Sequence, residues 1–451
     1  MSVTFRIKAS EAQGRRLDPE YHHALRRTRI RSTYPSAKLL SLSYFRTGGT
    51  PSTAHPEYWN GSIPWVSAKD FKAFRFEDSE DHVTELALAE STTCYVNRPA
   101  VLMVSRSGIL QHTLPVMVTH KPTTINQDIK AFFPDDRVSV DYLGAFFDVF
   151  GSRLLPLVCK SGATVQSLNT EQLMDLSIPL PPLPEQRKIV AELDAAYAAK
   201  RAADEKATKL LASIDDMVLN ELGIAKLPKP DTSLSSRIFT VPAREVHNGR
   251  LDPIAYQSMR RQFYKNVREG TYEMVRLGKV VDVDRCQTDS LDGLTYVGLE
   301  NINGSDGTYS PTGGKESIST AVLFRKGEIL FPKLRPYLNK VWLADFDGAA
   351  STEFFPLIPT GASAEYLIVY LRLTQVASVM TLLMTGNTLP RVQLEDVLSL
   401  PVPIPPRPVQ DHIASTASSI RAEACKLKAD ATAALDAAKG KIEEELIRKE
   451  S

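Results

Sequence analysis

The chain has 451 residues, 43% apolar and 24% charged, which exceeds one ordinary core and describes a folded, soluble protein of about two to four domains. No apolar run approaches ~18 residues, and the opening MSVTFRIKASEAQGRR has no signal-peptide core, so the expected location is cytoplasmic. A net charge of +1 excludes a global basic field, so any nucleic-acid contact must use local patches. Cys94, Cys159, Cys286 and Cys425 have no paired spacing and suggest neither a zinc site nor a disulfide framework.

Read in order, the chain is written twice. GRRLDPEYH at 14–22 echoes GRLDPIAYQ at 249–257, at an offset of 234. Between them RRTRIRS (26–32) is a short basic cluster, more often a solvated face than a phosphate grip. RTGGTPS (46–52) offers glycines that permit either a close backbone approach to phosphate or a tight turn. IPWVSAKDF (63–71) and AVLMVSRSGIL (100–110) alternate as strands, and VDYLGAFFDVFGSRL (140–154) reads as a helix. LSIPLPPLPEQRKIVAEL (176–193) then runs from prolines into a helical pattern. In the second copy LTYVGLENI (294–302) and EILFPKLRPYLNKVWLADF (328–346) read as strands, and AEYLIVYLRLTQVASVMTLLM (364–384) as helix. LPVPIPPRPVQDHI (400–413) repeats the proline junction at an offset of 224. Ends match and middles differ, as in a duplicated frame carrying two inserts.

Proline lacks an N–H, so each track cannot continue a central strand and is expected as an extended linker delivering a domain onto a helix. Pro184 and Pro408 fit the first helical position, where the N–H would be unpaired anyway. The expected divisions are a domain over 1–184, a helix over 185–223, a second domain over 224–408 and a second helix over 409–451. Domain 1–184 carries 20 Lys/Arg against 18 Asp/Glu, and the helix 185–223 carries 6 against 8. A three-four stripe runs Ile189, Leu193, Ala196, Lys200, Ala203, Ala207, Leu210, Ile214 and Met217, with Lys200 as the polar break. The second runs Ile413, Ala417, Ile420, Ala424, Leu427, Ala431, Ala434 and Ala438. Two seams in one register suggest mutual pairing, parallel or antiparallel. The fold class is α+β: two similar mixed α/β domains joined by two long helices as an internal repeat.

Catalytic signatures are missing. Every Pro-Pro lies in a junction with no Asp or Asn before it, so no adenine-methylation motif occurs, and no P-loop, GxSxG or HExxH is present. The eight histidines are scattered, His22–His23 being the close pair. No catalytic or metal-binding residue is assigned.

Domain, helix, domain, helix, with a proline–Gln junction twice, resembles the specificity subunit of type I restriction–modification enzymes. The resemblance rests on LPPLPEQRKIVAELD, on TGGTPSTAHPEYWNGSIPWVSAKD (47–70) and on GEILFPKLRPYLNKV (327–341). At the second junction PRPVQDHI keeps Pro408, Gln410 and Ile413 but lacks the acid and the Arg-Lys pair. The resemblance implies two target-recognition domains, each reading half of a split double-stranded DNA site, and an antiparallel coiled coil that sets spacing. It implies docking of methyltransferase subunits, expected as two, with contacts at Gln186, Arg187 and Gln410, and a separate restriction/translocase subunit. S-adenosylmethionine, magnesium and ATP belong to those partners, and this chain needs no cofactor. Base edges and phosphates are met by Arg, Lys, Asn, Gln and small polar groups. Candidates are therefore Arg46, Thr50, Lys69, Arg106 and Lys160 in the first domain. In the second they are Lys333, Arg335, Asn339, Lys340 and Arg391, with Gly162 and Gly386 closing turns. Alternatives are a recognition chain of another methyltransferase–nuclease, or a coiled-coil scaffold offering Pro181-x-x-Pro184-x-x-Arg187.

Overall fold

The computed structural model describes residues 32–160, 165–228, 233, 238, 240–242, 258–311, 319–386 and 388–447. The 14–22/249–257 repeat, Arg26–Arg31, His22–His23, Gly162, Thr164 and Asn387 lie outside the described residues. The chain divides into two compact units, one of residues up to Ala202 together with those from Ala429 onward, the other Ala203–Lys428.

The first unit is built on an antiparallel sheet in the order Ser43–Thr47, Ile129–Pro134, Ala100–Val104, Val116–Thr119. Strand Ala100–Val104 is buried on both faces, because one side meets helix α1 (Val140–Val158) and the other a second, mixed sheet. That sheet pairs Trp59–Val66 in parallel with Thr123–Ile125, which pairs antiparallel with Cys94–Val96. Ser139 starts α1, its Oγ accepting from the Tyr142 N–H at 3.1 Å, while Asp141 sits in the positive first turn.

The second unit repeats this plan. Its antiparallel sheet runs Val281–Val283, Phe354–Pro359, Ile329–Pro332, Trp342–Leu343. Thr295–Val297 pairs in parallel with Gly348–Ser351, which pairs antiparallel with Ala321–Phe324. Helix α2, Leu183–Leu222, leaves the first domain. Helix α3, Ala364–Leu371, matches the start of α1 in the second unit, with Ser363 Oγ accepting from the Tyr366 N–H at 3.1 Å. Helix α4, Arg407–Leu446, leaves the second domain.

The proline tracks are not free linkers. Ser177–Pro179 pairs antiparallel with Ser36–Lys38, and Pro401–Pro403 with Met274–Arg276, each a two-stranded ladder. Proline is tolerated there because the ladder has an edge on which no N–H is required. Both helices start one residue before the expected position, so Pro184 and Pro408 stand second, still within the first turn of unpaired N–H groups.

The helices pair antiparallel in each unit. In the first, Ile189 and Leu193 share a core with Leu435, Ile442 and Leu446, while Glu192 pairs with Lys441 and the Lys439 ammonium lies 5.3 Å from the Tyr197 ring. In the second, Ile214, Val218 and Leu222 share a core with Ile413 and Ala417, and Glu221 lies 3.9 Å from His412. Numbers rise along one helix as they fall along the other. The expected seam drifts, however. Ala434 is exposed and Leu435 buried in its place, and Val218 and Leu222 are buried where Met217 is only half-buried. A 3.6-residue helix slips about 20° per heptad against a 3.5 repeat, and the larger aliphatics take the buried side.

Helix α2 is also clamped to its own domain. Arg75 donates from Nε and Nη2 to Asp194 at 3.0 and 2.6 Å and from Nη1 to Asp141, which His120 meets at 2.8 Å. Burial raises the Asp141 pKa, but the hydrogen bonds from His120 and Arg75 outweigh it and hold the carboxyl below its ordinary value.

Two outcomes follow from these contacts. Leu435→Ala should destabilise by about 2–4 kcal/mol and Ala434→Ser by less than about 0.5, measured by thermal unfolding. A depressed folded pKa gives Asp141 a contribution that is complete above its unfolded value and lost as pH falls through the folded one. Asp141→Asn should therefore cost about 1–3 kcal/mol at pH 7 and show a shallower loss of stability than the parent between about pH 5 and 3.

Candidate nucleic-acid interface

Two loops hold the same place in the two units. In the first, the chain leaves Ala100–Val104, pairs Arg106–Ser107 with Gln166–Leu168, and turns through Gly108–Gln111. In the second it leaves Ile329–Pro332, bridges Leu334 to Arg391, and turns through Pro336–Leu338. The bridged partners Ser167 and Arg391 stand 224 residues apart, the spacing of the two junctions.

Register brings two sequence candidates together in the first loop. Lys160 lies opposite Ser167, and Ser167 opposite Arg106, across a three-stranded sheet. Opposed residues share a face, so Arg106 and Lys160 emerge on one side roughly 10 Å apart, two strand spacings. Both are exposed and meet no carboxylate among the described residues. Ile109, near Arg106 in sequence, and Val165, near Lys160, are exposed apolar residues that the sequence alone did not single out.

The other first-unit candidates are more committed. Lys69 Nζ meets Asp81 at 2.8 Å and Glu80 at 3.2 Å, and the Asp81 hydrogen bond leads in raising its pKa. Thr50 Oγ1 donates to Gln127 Oε1 at 2.6 Å. Arg46 is exposed on the edge strand Ser43–Thr47, beside the Cys94 thiol. The close approach at Gly48 and Gly49 is to the protein itself: a Cβ on Gly48 would stand 1.7 Å from the Ile125 carbonyl oxygen, and one on Gly49 2.2 Å from Thr92 Oγ1. The Gly49 carbonyl also accepts from the Trp65 indole at 3.2 Å.

In the second unit most candidate cations are spent on the fold around the loop, on neighbouring backbone carbonyls or a carboxylate. Lys333 Nζ donates to the Thr352 carbonyl at 2.5 Å and lies 4.5 Å from the Phe355 ring, and burial pushes its pKa down. Lys340 Nζ donates to the Leu299 carbonyl at 2.6 Å, and Asn339 Nδ2 to the Arg372 carbonyl at 2.7 Å. Arg391 grips Glu353 through Nε at 2.8 Å and Nη2 at 2.6 Å. Gly386, at φ +100°, closes a turn as expected of a residue with no Cβ.

Beneath the loop Arg372, 7% exposed, donates to the carbonyls of Asn339, Val341 and Gly304 at 2.8–2.9 Å. Burial, and then the nearby Arg421, push its pKa down to about 10. This staple was missed because an arginine inside an apolar helical run carries no sign of which carbonyls it serves. Arg335 and Asn339 take left-handed backbone at φ 50° and 51°, which costs about 1–2 kcal/mol each for a residue with a Cβ. The surrounding bonds hold that strained turn, leaving Arg335, Tyr337 (49% exposed) and Leu338 (41%) at the surface.

The expected partner contacts divide differently. Arg187 is exposed, but Gln186 is 0% and Gln410 4% exposed. Gln186 Nε2 donates to the Pro181 and Arg137 carbonyls at 3.0 Å and its Oε1 accepts from the Ser139 N–H at 2.9 Å. Gln410 Nε2 donates to the Pro405 carbonyl at 2.8 Å and its Oε1 accepts from the Ser363 N–H at 2.9 Å. Neither glutamine has surface left for a partner, which corrects their assignment as docking residues. Among the described residues no three His, Cys, Asp or Glu side chains gather as a metal site, and no helix is long and apolar enough to cross a membrane.

Two copies of one α+β domain, each opening onto a long helix and each presenting a loop at the same place, define a duplicated recognition protein. Residues 35–209 and 269–435 match the type I restriction modification DNA specificity domain, and the chain belongs to that family. It is 39% identical over 148 residues to the type I restriction enzyme EcoR124I/EcoR124II specificity subunit of Escherichia coli, covering 33% of this chain and 37% of that one. It is 30% identical over 162 residues to the MjaIX specificity subunit of Methanocaldococcus jannaschii, covering 35% and 36%. These alignments span just over a third of each curated relative. The crystal structure of a type I restriction-modification system S subunit from M. genitalium aligns over 93% of this chain and 97% of its own, at 10% identity and a TM-score of 0.42.

The division of labour in the second loop is checkable by thermal unfolding. Lys340→Ala and Arg372→Ala should each lower stability, by about 1–3 kcal/mol for every carbonyl left without a donor, whereas Arg335→Ala should stay within about 0.5.

Proposed function

We propose that the chain is the non-catalytic specificity subunit of a type I restriction–modification complex. Each domain reads one half of a bipartite double-stranded DNA target, and the helices set the distance between the halves. The single observation that carries the reading is the duplicated frame with unlike edges. Both units share strand order and junction, yet Asp81–Val83 flanks the mixed sheet of one and Gln287–Thr288 that of the other. A common frame with different borders suits two readers of different half-sites. The working divisions are 1–184 and 224–408 for the readers and 185–223 and 409–451 for the spacer helices. Methyl transfer from S-adenosylmethionine, and ATP- and magnesium-dependent translocation and cleavage, fall to methyltransferase and restriction subunits. Two methyltransferase copies suit the internal repeat, and exposed Arg187 is the proposed contact at the first junction. A cytoplasmic location follows from work on intracellular DNA.

In this reading Arg106 and Lys160 hold phosphates on one side of a sheet, and Arg335 with Tyr337 meets the groove from the stapled turn. Arg46, Thr50, Lys69, Lys333, Asn339, Lys340 and Arg391 shape the two surfaces, with the charges of Lys69 and Arg391 balanced by carboxylates.

The test is methylome sequencing of a host expressing the chain with its methyltransferase subunit. One bipartite motif should appear, and replacing residues 20–170 with those of a relative should change one half only. A continuous motif, or a change in both halves, would sink the reading. In binding assays Arg106→Ala and Lys160→Ala should weaken all sequences alike and each lower the salt slope by about 1. Arg335→Ala should relax one target position by about 1–3 kcal/mol if it reads a base edge.

A further inference from the structure

The two junctions repeat in atomic detail. Tyr142 Oη donates to the Pro179 carbonyl at 2.9 Å, and Tyr366 Oη, 224 residues on, donates to the Pro403 carbonyl at 2.7 Å. Gln186 and Gln410 are likewise 224 apart. Each donates to the carbonyl of the proline five residues back, and each accepts from the backbone N–H of the serine that caps a domain helix. Each device lies inside its own unit, with both glutamines nine-tenths buried or more and both tyrosines fully so.

Its chemistry follows from proline. Pro179 and Pro181 are buried and, lacking an N–H, bring carbonyl oxygens into the interior that the track itself cannot answer. Glutamine alone among side chains of this length offers a donor and an acceptor at one end. It therefore ties the track, the helix that follows and the capped domain helix in one step. A tyrosine anchors the track a second time, two residues upstream of the first tie. Two anchors fix an angle where one would allow a swivel.

We propose that Gln186 and Gln410 are positioning residues that fix the angle at which each long helix leaves its domain, and so the spacing accepted between the two half-sites. This rests on the specificity-subunit reading. The lever is long: α2 has 40 residues, about 60 Å at 1.5 Å per residue. A swivel of roughly 5° at the junction moves the far end of such a helix about 5 Å, more than the ~3.4 Å rise of one base pair. Spacing to one base pair therefore requires a stiff junction as well as a helix of set length.

The test uses the full chain in complex with its methyltransferase subunit, on DNA carrying the parental half-sites at a series of spacings. The parent must first show one preferred spacing; failure there removes the specificity-subunit reading itself. Gln186→Glu and Gln410→Glu keep an acceptor for the serine N–H and, as carboxylates, lose donation to the proline carbonyl. Each should methylate unchanged half-sites at spacings one base pair longer or shorter at least tenfold above the parent, and the double variant should be broader than either. Gln186→Met and Gln410→Met, which keep the volume and lose both bonds, give the same readout should the charged variants not fold. A merely structural role would lower stability or total activity without moving the spacing. Parental spacing retained alone, at whatever activity, or an altered half-site sequence, overturns the proposal.

Discussion

A run of prolines supplies carbonyl oxygens and no amide hydrogens, and this deficit governs how the two halves of the chain are assembled. Elsewhere in the fold, backbone groups answer one another within sheets and helices. At the junctions the short ladders do this only in part, and the remaining proline carbonyls take side-chain donors: Tyr142 and Gln186 in one unit, Tyr366, Tyr370 and Gln410 in the other. Because each glutamine also accepts from a helix-capping serine, the requirement spreads into the domain core. The domain helix, the two-stranded ladder and the first turn of the long helix become one packed element. The long helices then bury Ile189 and Leu193, or Ile413 and Ala417, within the same clusters as their domains.

The two recognition loops meet a different electrostatic problem. A cation near the surface can be held for a ligand or spent on the fold, and the units choose differently. The second loop spends Lys333, Lys340 and Arg372 on backbone carbonyls and Arg391 on Glu353, which fixes a left-handed turn at Arg335. The first holds Arg106 and Lys160 in place by strand register alone. A loop stiffened by its own cations has few mobile charges to offer but presents a predefined shape. A sheet row offers charge on a flatter surface.

Much of the frame was legible in the sequence, since the repeat, the junctions and the helical stripes are one-dimensional patterns. The spent cations were not. The pattern KLRPYLNK shows the donors Lys333, Asn339 and Lys340 and says nothing of the carbonyls at Thr352, Arg372 and Leu299 that face them after folding. The buried glutamines misled for the opposite reason: a polar residue at the start of a long helix reads as surface, and only the unanswered proline carbonyls explain the burial of Gln186 and Gln410. A signal was present all the same. SVDYL at 139–143 and SAEYL at 363–367 lie at the junction offset, and pair a capping serine with the tyrosine that anchors each track. The seam drift from Ala434 to Leu435 follows from the mismatch between 3.5 and 3.6 residues per turn, which accumulates over a helix of this length.

The same physics locates where two copies of one domain can differ safely. Phe132 and Phe354 stand at the heart of the antiparallel sheets, and both are wholly buried among neighbours that a change of volume would disturb. A strand at the border of a sheet is paired on one side only, so its replacement removes one ladder and leaves the core intact. Asp81–Val83 and Gln287–Thr288 occupy opposite borders of their mixed sheets, attached to Trp59–Val66 in one unit and to Ala321–Phe324 in the other. The loops that follow the third core strand differ for the same reason: their bonds close within the loop and its immediate neighbours. Specificity can then change at the borders while the junction, which joins core to helix, keeps its hydrogen bonds.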